Sequence, residues 1–327
     1  MEVLNAAEHQ VALVDEALVR ENRAASKSTE TKRALLKNWE PFVAWCAAQG
    51  TAALPAEPAT VERYLLYLSD QHPVRDRRGQ VLRRGLKPSA VGQALWAINA
   101  RHRMAGLPAP GDSPLVRTAA AGIRRRKGTR TRQQAPLTIE HLRRVAFRDD
   151  LKGARDKALL LVGFAGCLRR SELVALRVEH LEETPLGLRV YLPRSKTDQE
   201  GAGAWVDLVR ATQFPALCPV QALLDWLAAA RIDAGPIFRS LGKGRRPRLG
   251  GALAAASVDA IVKWAAAHSG LDPRRYGGHS LRAGQATYLS EHGKSPVLIA
   301  RHGRWKSLNM VLTYCRSETA RELAGVY

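Results

Sequence analysis

Nine consecutive residues, Arg124 to Arg132, carry six basic side chains and no apolar one. A block of like charge cannot enter a hydrophobic core, so it divides the chain into two stretches that must each bury apolar surface on their own. The 327 residues suffice, corresponding to about two domains of roughly 150 residues each. Upstream, Leu35, Leu36, Trp39, Phe42, Val43 and Cys46 recur at helical spacing, which predicts an amphipathic helix with Ser28 as its N-cap and Gly50 at its end. Val61 to Leu68, Ser89 to Ala105 and Leu115 to Ile123 read as three more helices, punctuated by Pro58, Gly106 and Pro108. Residues 28–123 are therefore expected to form a helical bundle, 1–27 a helical arm outside it, and 124–136 a basic linker.

Downstream the apolar pattern restarts at Leu137 with Ile139, Leu142 and Val145, and 137–327 read as the second domain. A strongly apolar helix is expected over Lys157 to Gly163. Leu188, Val190 and Leu192 alternate with Arg189 and Tyr191; Trp205, Val206, Leu208 and Val209 follow the polar stretch Ser195 to Gly201, which predicts a β-hairpin. Helical spacing returns at Pro219 to Ala230, Ser257 to His268, Leu281 to Glu291 and Ser295 to Ala300, while Gly242 to Gly251 reads as a basic loop. The fold class is thus mainly α with a small β-sheet (α+β).

Charge narrows the partner. The formal net charge is +21, distributed as −3 over residues 1–62, +13 over 63–132 and +11 over 133–327. Such an excess favours a polyanion, either nucleic acid or an anionic membrane surface. The longest apolar run, Ala158 to Leu168, is 11 residues where a spanning helix needs about 20, and the start Met-Glu-Val is not that of a signal peptide. Cys46, Cys167, Cys218 and Cys315 form no C-x-x-C pair, so a disulfide framework or thiolate zinc site is not expected and a cytoplasmic location is.

Four motifs in the second domain carry chemistry, each commonplace when taken singly. Gly166-Cys167-Leu168-Arg169-Arg170-Ser171-Glu172 breaks the chain just before an arginine that opens a helix. Lys196 sits at the expected hairpin tip, and His279-x-x-Arg282 places two polar side chains on one side of a helix start. Gly303-Arg304-Trp305 is followed nine residues later by Tyr314.

In this order and spacing the four motifs resemble the tyrosine recombinases, also called phage integrases, over roughly residues 28–325. The resemblance implies a catalytic set of Arg169, Lys196, His279, Arg282, Trp305 and the nucleophile Tyr314, with Glu172 as the supporting acidic residue. It also implies a SAM-like core-binding bundle ahead of a mixed α/β catalytic domain. Four protomers would assemble on two double-stranded DNA sites, with a C-terminal helix near Ser317 to Gly325 docking on a neighbour. Arg124, Arg125, Arg126, Lys127, Arg130 and Arg132 would lie along the DNA backbone, each phosphate contact releasing counterions. The context expected is bacterial, phage or another mobile element.

The chemistry is coherent with that set. A phenol of reference pKa about 10 must attack a phosphodiester near neutral pH while charge builds on the phosphoryl oxygens. Arg169 and Arg282 can each give paired N–H bonds to those oxygens and remain protonated, which supplies stabilisation without a metal; Glu172 is the one acidic residue within the motifs. Lys196 is the candidate general acid for the leaving 5′ oxygen, His279 the acid or base beside the tyrosine, and Trp305 a hydrogen-bonding and packing residue. A 3′-phosphotyrosyl link would conserve the bond energy, so neither ATP nor another cofactor is expected. A catalytically silent DNA-binding relative and a type IB topoisomerase-like relaxing enzyme remain as alternatives.

Overall fold

The computed structural model describes residues 28–76, 78–129, 133–193, 203–244 and 247–314. These fall into two compact units, divided between residues 131 and 132.

The first unit is a four-helix bundle. Helix α1, Thr29–Ala48, begins where the Ser28 hydroxyl accepts the Thr31 backbone N–H at 3.2 Å, as expected of its N-cap. Its buried stripe is Leu35, Trp39, Phe42 and Cys46. Leu36 and Val43, expected in that stripe, stay largely exposed because they fall on the flank of the 3.6-residue period. Helices α2 (Pro58–Leu66), α3 (Pro88–Met104) and α4 (Pro114–Lys127) each start with proline in the first turn, where its missing N–H is harmless. They enclose Trp39, Phe42, Tyr64, Leu65, Ile98, Val116 and Ile123. Between α2 and α3 the chain makes a π-helical turn, Tyr67–Gln71, and then a two-stranded antiparallel ribbon of β1 (Pro73–Arg75) and β2 (Val81–Arg84), which the sequence pattern does not announce.

Helix α4 corrects the expected linker. It runs through Arg124, Arg125, Arg126 and Lys127 to Gly128, whose positive φ of 69° ends it. Four cations in its last turn suit the negative end of the helix dipole, so the charge run extends the helix instead of interrupting it. The far end of that expected linker is corrected too. Gln134 to Leu137 lie along the second unit, where Ala135 N–H donates to Arg275 C=O and Leu137 N–H to Ser280 C=O.

The second unit is built on α6 (Leu151–Ala165), buried along nearly its whole length from Ala158 to Phe164. Around it pack α5 (Ile139–Arg143), α7 (Arg170–Ala175), α8 (Pro219–Ala230), α9 (Ala255–His268) and α10 (Ser280–Glu291). A three-stranded antiparallel sheet, β3 (Leu181–Thr184), β4 (Gly187–Leu192) and β5 (Ala204–Val209), completes the core. The expected hairpin is β4–β5, with β3 added beside it. Its register pairs Val190 with Val206 and Leu188 with Leu208 on the buried face, while the Tyr191 and Trp205 rings meet at a tilt on the other, centroids 5.1 Å apart. The expected basic loop ends instead in a second ribbon, β6 (Arg239–Leu241) with β7 (Leu249–Ala252). Two short helices, α11 (Pro296–Gly303) and α12 (Leu308–Leu312), close the described chain. Among the described residues no helix is long and apolar enough to cross a membrane. The expected arm over 1–27 and the helix near 317–325 lie outside the described residues, as do Lys196 and the hairpin tip, Arg130, Arg132 and Cys315.

Candidate active site

Five of the expected residues converge from segments far apart in sequence. Arg169 is the N-cap of α7, its backbone N–H and Nη1 donating to the Glu172 carboxylate at 3.0 and 2.5 Å. His279 is the N-cap of α10, and Arg282 projects from that helix's first turn. Trp305 and Tyr314 come from the turns after α11 and α12.

Arg282 is the buried centre of the group, its residue surface only 1% accessible. Its Nη1 donates to the Cys167 carbonyl at 2.7 Å, and its guanidinium carbon lies 4.0 Å from the Trp305 ring centroid. A cation over an indole face is attracted by the ring quadrupole, more so when desolvated. Nη2 is buried without a hydrogen-bond partner among the described residues. Burial pulls the guanidinium pKa down to about 10, so it still carries its charge at neutral pH. A buried charged donor left unpaired is costly, and a ligand oxygen is the natural way to satisfy it.

Tyr314 Oη and His279 Nε2 are 2.8 Å apart. The Tyr314 ring also rests against Trp305, with centroids 5.7 Å apart. Burial raises the phenol pKa above its ordinary value, only partly opposed by the Arg282 charge. His279 moves the other way: the protein packed around it, then the cations of Arg282 and Arg169, hold it below the usual imidazole value. A neutral imidazole thus faces a protonated phenol across a hydrogen bond. Gln134 braces the arrangement, its Oε1 accepting the His279 backbone N–H at 3.0 Å.

Arg304 lies outside the expected catalytic set, yet it completes the network. It takes the left-handed conformation at the end of α11, φ 57° and ψ 45°, and donates from Nη2 to Glu172 Oε2 at 3.0 Å and to the Cys167 carbonyl at 3.3 Å. Cys167 is also left-handed, with φ 49°. Each such non-glycine residue costs about 1–2 kcal/mol, and two that meet in one hydrogen-bond network mark strain retained for function. Gly303 suits this position, because a Cβ there would come within 1.8 Å of the Trp305 ring edge. Burial works to raise the Glu172 carboxyl, but the Arg169 N–H and the Arg304 and Arg169 guanidiniums outweigh it and hold the group below its ordinary value. Among the described residues no group of three or more His, Cys, Asp or Glu side chains could hold a metal ion.

The expected DNA-binding residues divide. Arg124 and Arg125 are exposed, whereas Arg126 pairs with Asp70 at 2.9 Å and Lys127 donates to the Ser69 carbonyl and lies 3.5 Å from Asp70.

A bundle ahead of a mixed α/β unit that gathers two arginines, a histidine and a tyrosine defines a phosphoryl-transfer protein of recombinase type. The chain belongs to the phage integrase family, whose sequence model matches residues 131–321. It is 37% identical over 295 residues to an integrase/recombinase xerD homolog of Selenomonas ruminantium, covering 88% of this chain and 82% of that one. With the recombinase cre of Escherichia phage P1 it shares 26% over 310 residues, 89% and 84% of the two chains. A Tn1549 transposon integrase, solved in complex with transposon right-end DNA, shares the fold at a TM-score of 0.55, covering 94% of this chain and 98% of that one at 14% identity. The activity is accordingly that of a tyrosine site-specific recombinase, which breaks and rejoins DNA strands.

Proposed function

We propose that Tyr314 is the nucleophile of that reaction and that its proton passes to His279 as the attack begins. The observation that carries this reading is the 2.8 Å Tyr314–His279 hydrogen bond beside Arg282 Nη2, which has no partner among the described residues. The phenol oxygen forms a bond to the scissile phosphorus, the bond to the 5′ oxygen breaks, and a 3′-phosphotyrosyl ester remains. Arg282 and Arg169 take the non-bridging oxygens, where charge develops in the transition state. Lys196 donates the proton that the 5′ oxygen needs on leaving, a role supported by its sequence position. Glu172 fixes Arg169 and Arg304, and Trp305 holds the Arg282 guanidinium on its ring face. Religation runs the same steps backwards with a different 5′ hydroxyl, so no cofactor is consumed.

The substrate is double-stranded DNA inside the cell, gripped in part by Arg124 and Arg125, with Arg126, Lys127, Arg130 and Arg132 adding to the local positive potential. Exchange between two sites calls for four protomers, one per strand cut.

The test uses duplexes selected by the full-length protein from a randomised pool. The wild type should leave a covalent protein–DNA adduct on a denaturing gel, and Tyr314→Phe should bind the same duplexes yet leave none. An adduct persisting in Tyr314→Phe would overturn the assignment. Relaxation of a plasmid lacking any selected sequence would point instead to topoisomerase-type action.

A further inference from the structure

The β1–β2 ribbon of the first unit has no place in the mechanism above. Two-stranded ribbons are marginal on their own, and β2 is exposed at every residue, so this one adds little to any core. It is nevertheless carefully built. At its tip Asp76 Oδ1 accepts the backbone N–H groups of Arg78 and Gln80 at 2.8 and 2.9 Å, and Arg75 Nη1 donates to the Gly79 carbonyl at 2.8 Å. At its base Gly85 N–H donates to the His72 carbonyl and Leu86 N–H to that of Leu68. Gly85 has φ +81°, and a side chain there would strike the Ser69 carbonyl, the group that Lys127 also engages. Arg126 and Lys127, with Asp70, thus latch the base of the ribbon to the end of α4.

The composition of the ribbon points outward. Residues 73–87 hold five arginines and Lys87 against the single acid Asp76. The pairing sets Arg75 opposite Val81 and Arg84 opposite Pro73, with a register shift between Val74 and Arg75, so Arg75 and Val81 lie side by side toward the tip and Arg84 toward the base. Arg83 folds back onto the Gly85 carbonyl at 2.6 Å, and Arg75 likewise commits Nη1 to the Gly79 carbonyl, so a base edge would be met by its remaining guanidinium N–H groups or by release of that contact. Neither Arg84 nor Arg78 forms an ion pair among the described residues. Beside them Val81 and Leu82 are 43% and 66% exposed. Cations alone would serve a phosphate backbone, but exposed aliphatic groups between them match what the major groove offers. That groove admits a two-stranded ribbon, presents guanine N7 and O6 to arginine, and presents thymine methyls to apolar side chains.

We propose that the β1–β2 ribbon enters the major groove of the DNA site and reads base edges through Arg75 and Arg84, with Val81 against a thymine methyl. This rests on the recombinase reading only in taking duplex DNA as the partner. The latch at Asp70 fixes the angle at which the ribbon leaves the bundle.

The experiment compares the full chain with an Arg75→Ala/Arg84→Ala variant. Each selects duplexes from a randomised pool, and each is titrated on the wild-type sequence with every base pair replaced in turn. The wild type should show a block of roughly two to four base pairs, about one for each reading side chain, at which replacement weakens binding roughly tenfold or more. In the variant that block should become indifferent while preferences elsewhere stay. Unchanged preferences at every position would overturn the proposal. So would uniformly weaker binding with the block intact, the signature of phosphate contact alone. Both side chains are exposed, so the variant should melt as the wild type does; should it not, Arg84→Gln is carried through the same titration. The variant and the wild type should form equal amounts of covalent adduct at saturating DNA, so a wild type without adduct counts against the recombinase reading and leaves the ribbon result standing.

Discussion

Arginine does opposite work in the two units. In the second, Arg169, Arg282 and Arg304 are largely buried around one glutamate and the carbonyl of Cys167, which fix the direction of their N–H groups. In the first, Arg75, Arg84, Arg124 and Arg125 face solvent. A guanidinium stripped of water acts strongly on the charge developing a few ångströms away; one bathed in water contributes affinity that salt screens. Net charge is therefore a poor guide to function until burial is known.

The two roles separate most clearly at Arg282. Arg282→Ala should slow single-turnover adduct formation by about 10²–10³-fold while binding of a selected duplex changes little. If binding collapsed and chemistry at saturating DNA did not, Arg282 would belong with the solvent-facing arginines. Next comes Glu172, whose side chain is 2% exposed between two cations. Glu172→Ala should lower unfolding stability by about 3 kcal/mol in denaturant titration, because it strips Arg169 and Arg304 of their shared carboxylate where water cannot replace it. Since its folded pKa lies below the unfolded one, this contribution is complete above the ordinary carboxylate range and fades as pH falls through the folded value. The stability gap between wild type and Glu172→Ala should therefore close on acidification.

His279 gives a smaller, graded effect. Its depressed pKa keeps it able to accept the Tyr314 proton to lower pH than an ordinary imidazole, so the acid limb of the cleavage profile should fall below pH 6.5. Activity that instead fell as pH rose through the histidine range would mean His279 acts as a cation. The smallest effect is at the end of α4. Arg124→Ala/Arg125→Ala should reduce the salt slope of binding by about 0.9 for each phosphate no longer neutralised, leaving cleavage at saturating DNA unchanged. Arg126→Ala should change the slope less, because Arg126 is committed to Asp70.

Local signals make much of this legible in the sequence. The N-cap at Ser28, the stripe of α1 and the β4–β5 alternation are each written in one short stretch of sequence, as is each of the separate motifs around Arg169, His279 with Arg282, and Trp305 with Tyr314. What stays hidden depends on long-range partners. Gln134 reaches the backbone of His279 and Arg304 reaches Glu172 across most of the unit, with no periodicity to announce either. The helical state of Arg124 to Lys127 runs against the expectation that a charge run breaks a helix, because these residues are good helix formers placed where the dipole welcomes them. The β1–β2 ribbon escapes the alternation rule because its short strands carry arginines where apolar residues would mark a strand.

Cys167 and Arg282 are 115 residues apart, and Glu172 and Arg304 are 132 apart. The cutting centre therefore exists in no fragment of the unit. Tyr314 emerges during synthesis after all its partners, and it meets His279 and Arg282 only when α6, α7, α10 and α11 have closed together. A copy cut short before Tyr314 holds the histidine and the arginines without the tyrosine. The chemistry proposed for Tyr314 therefore waits on the folding of the whole unit.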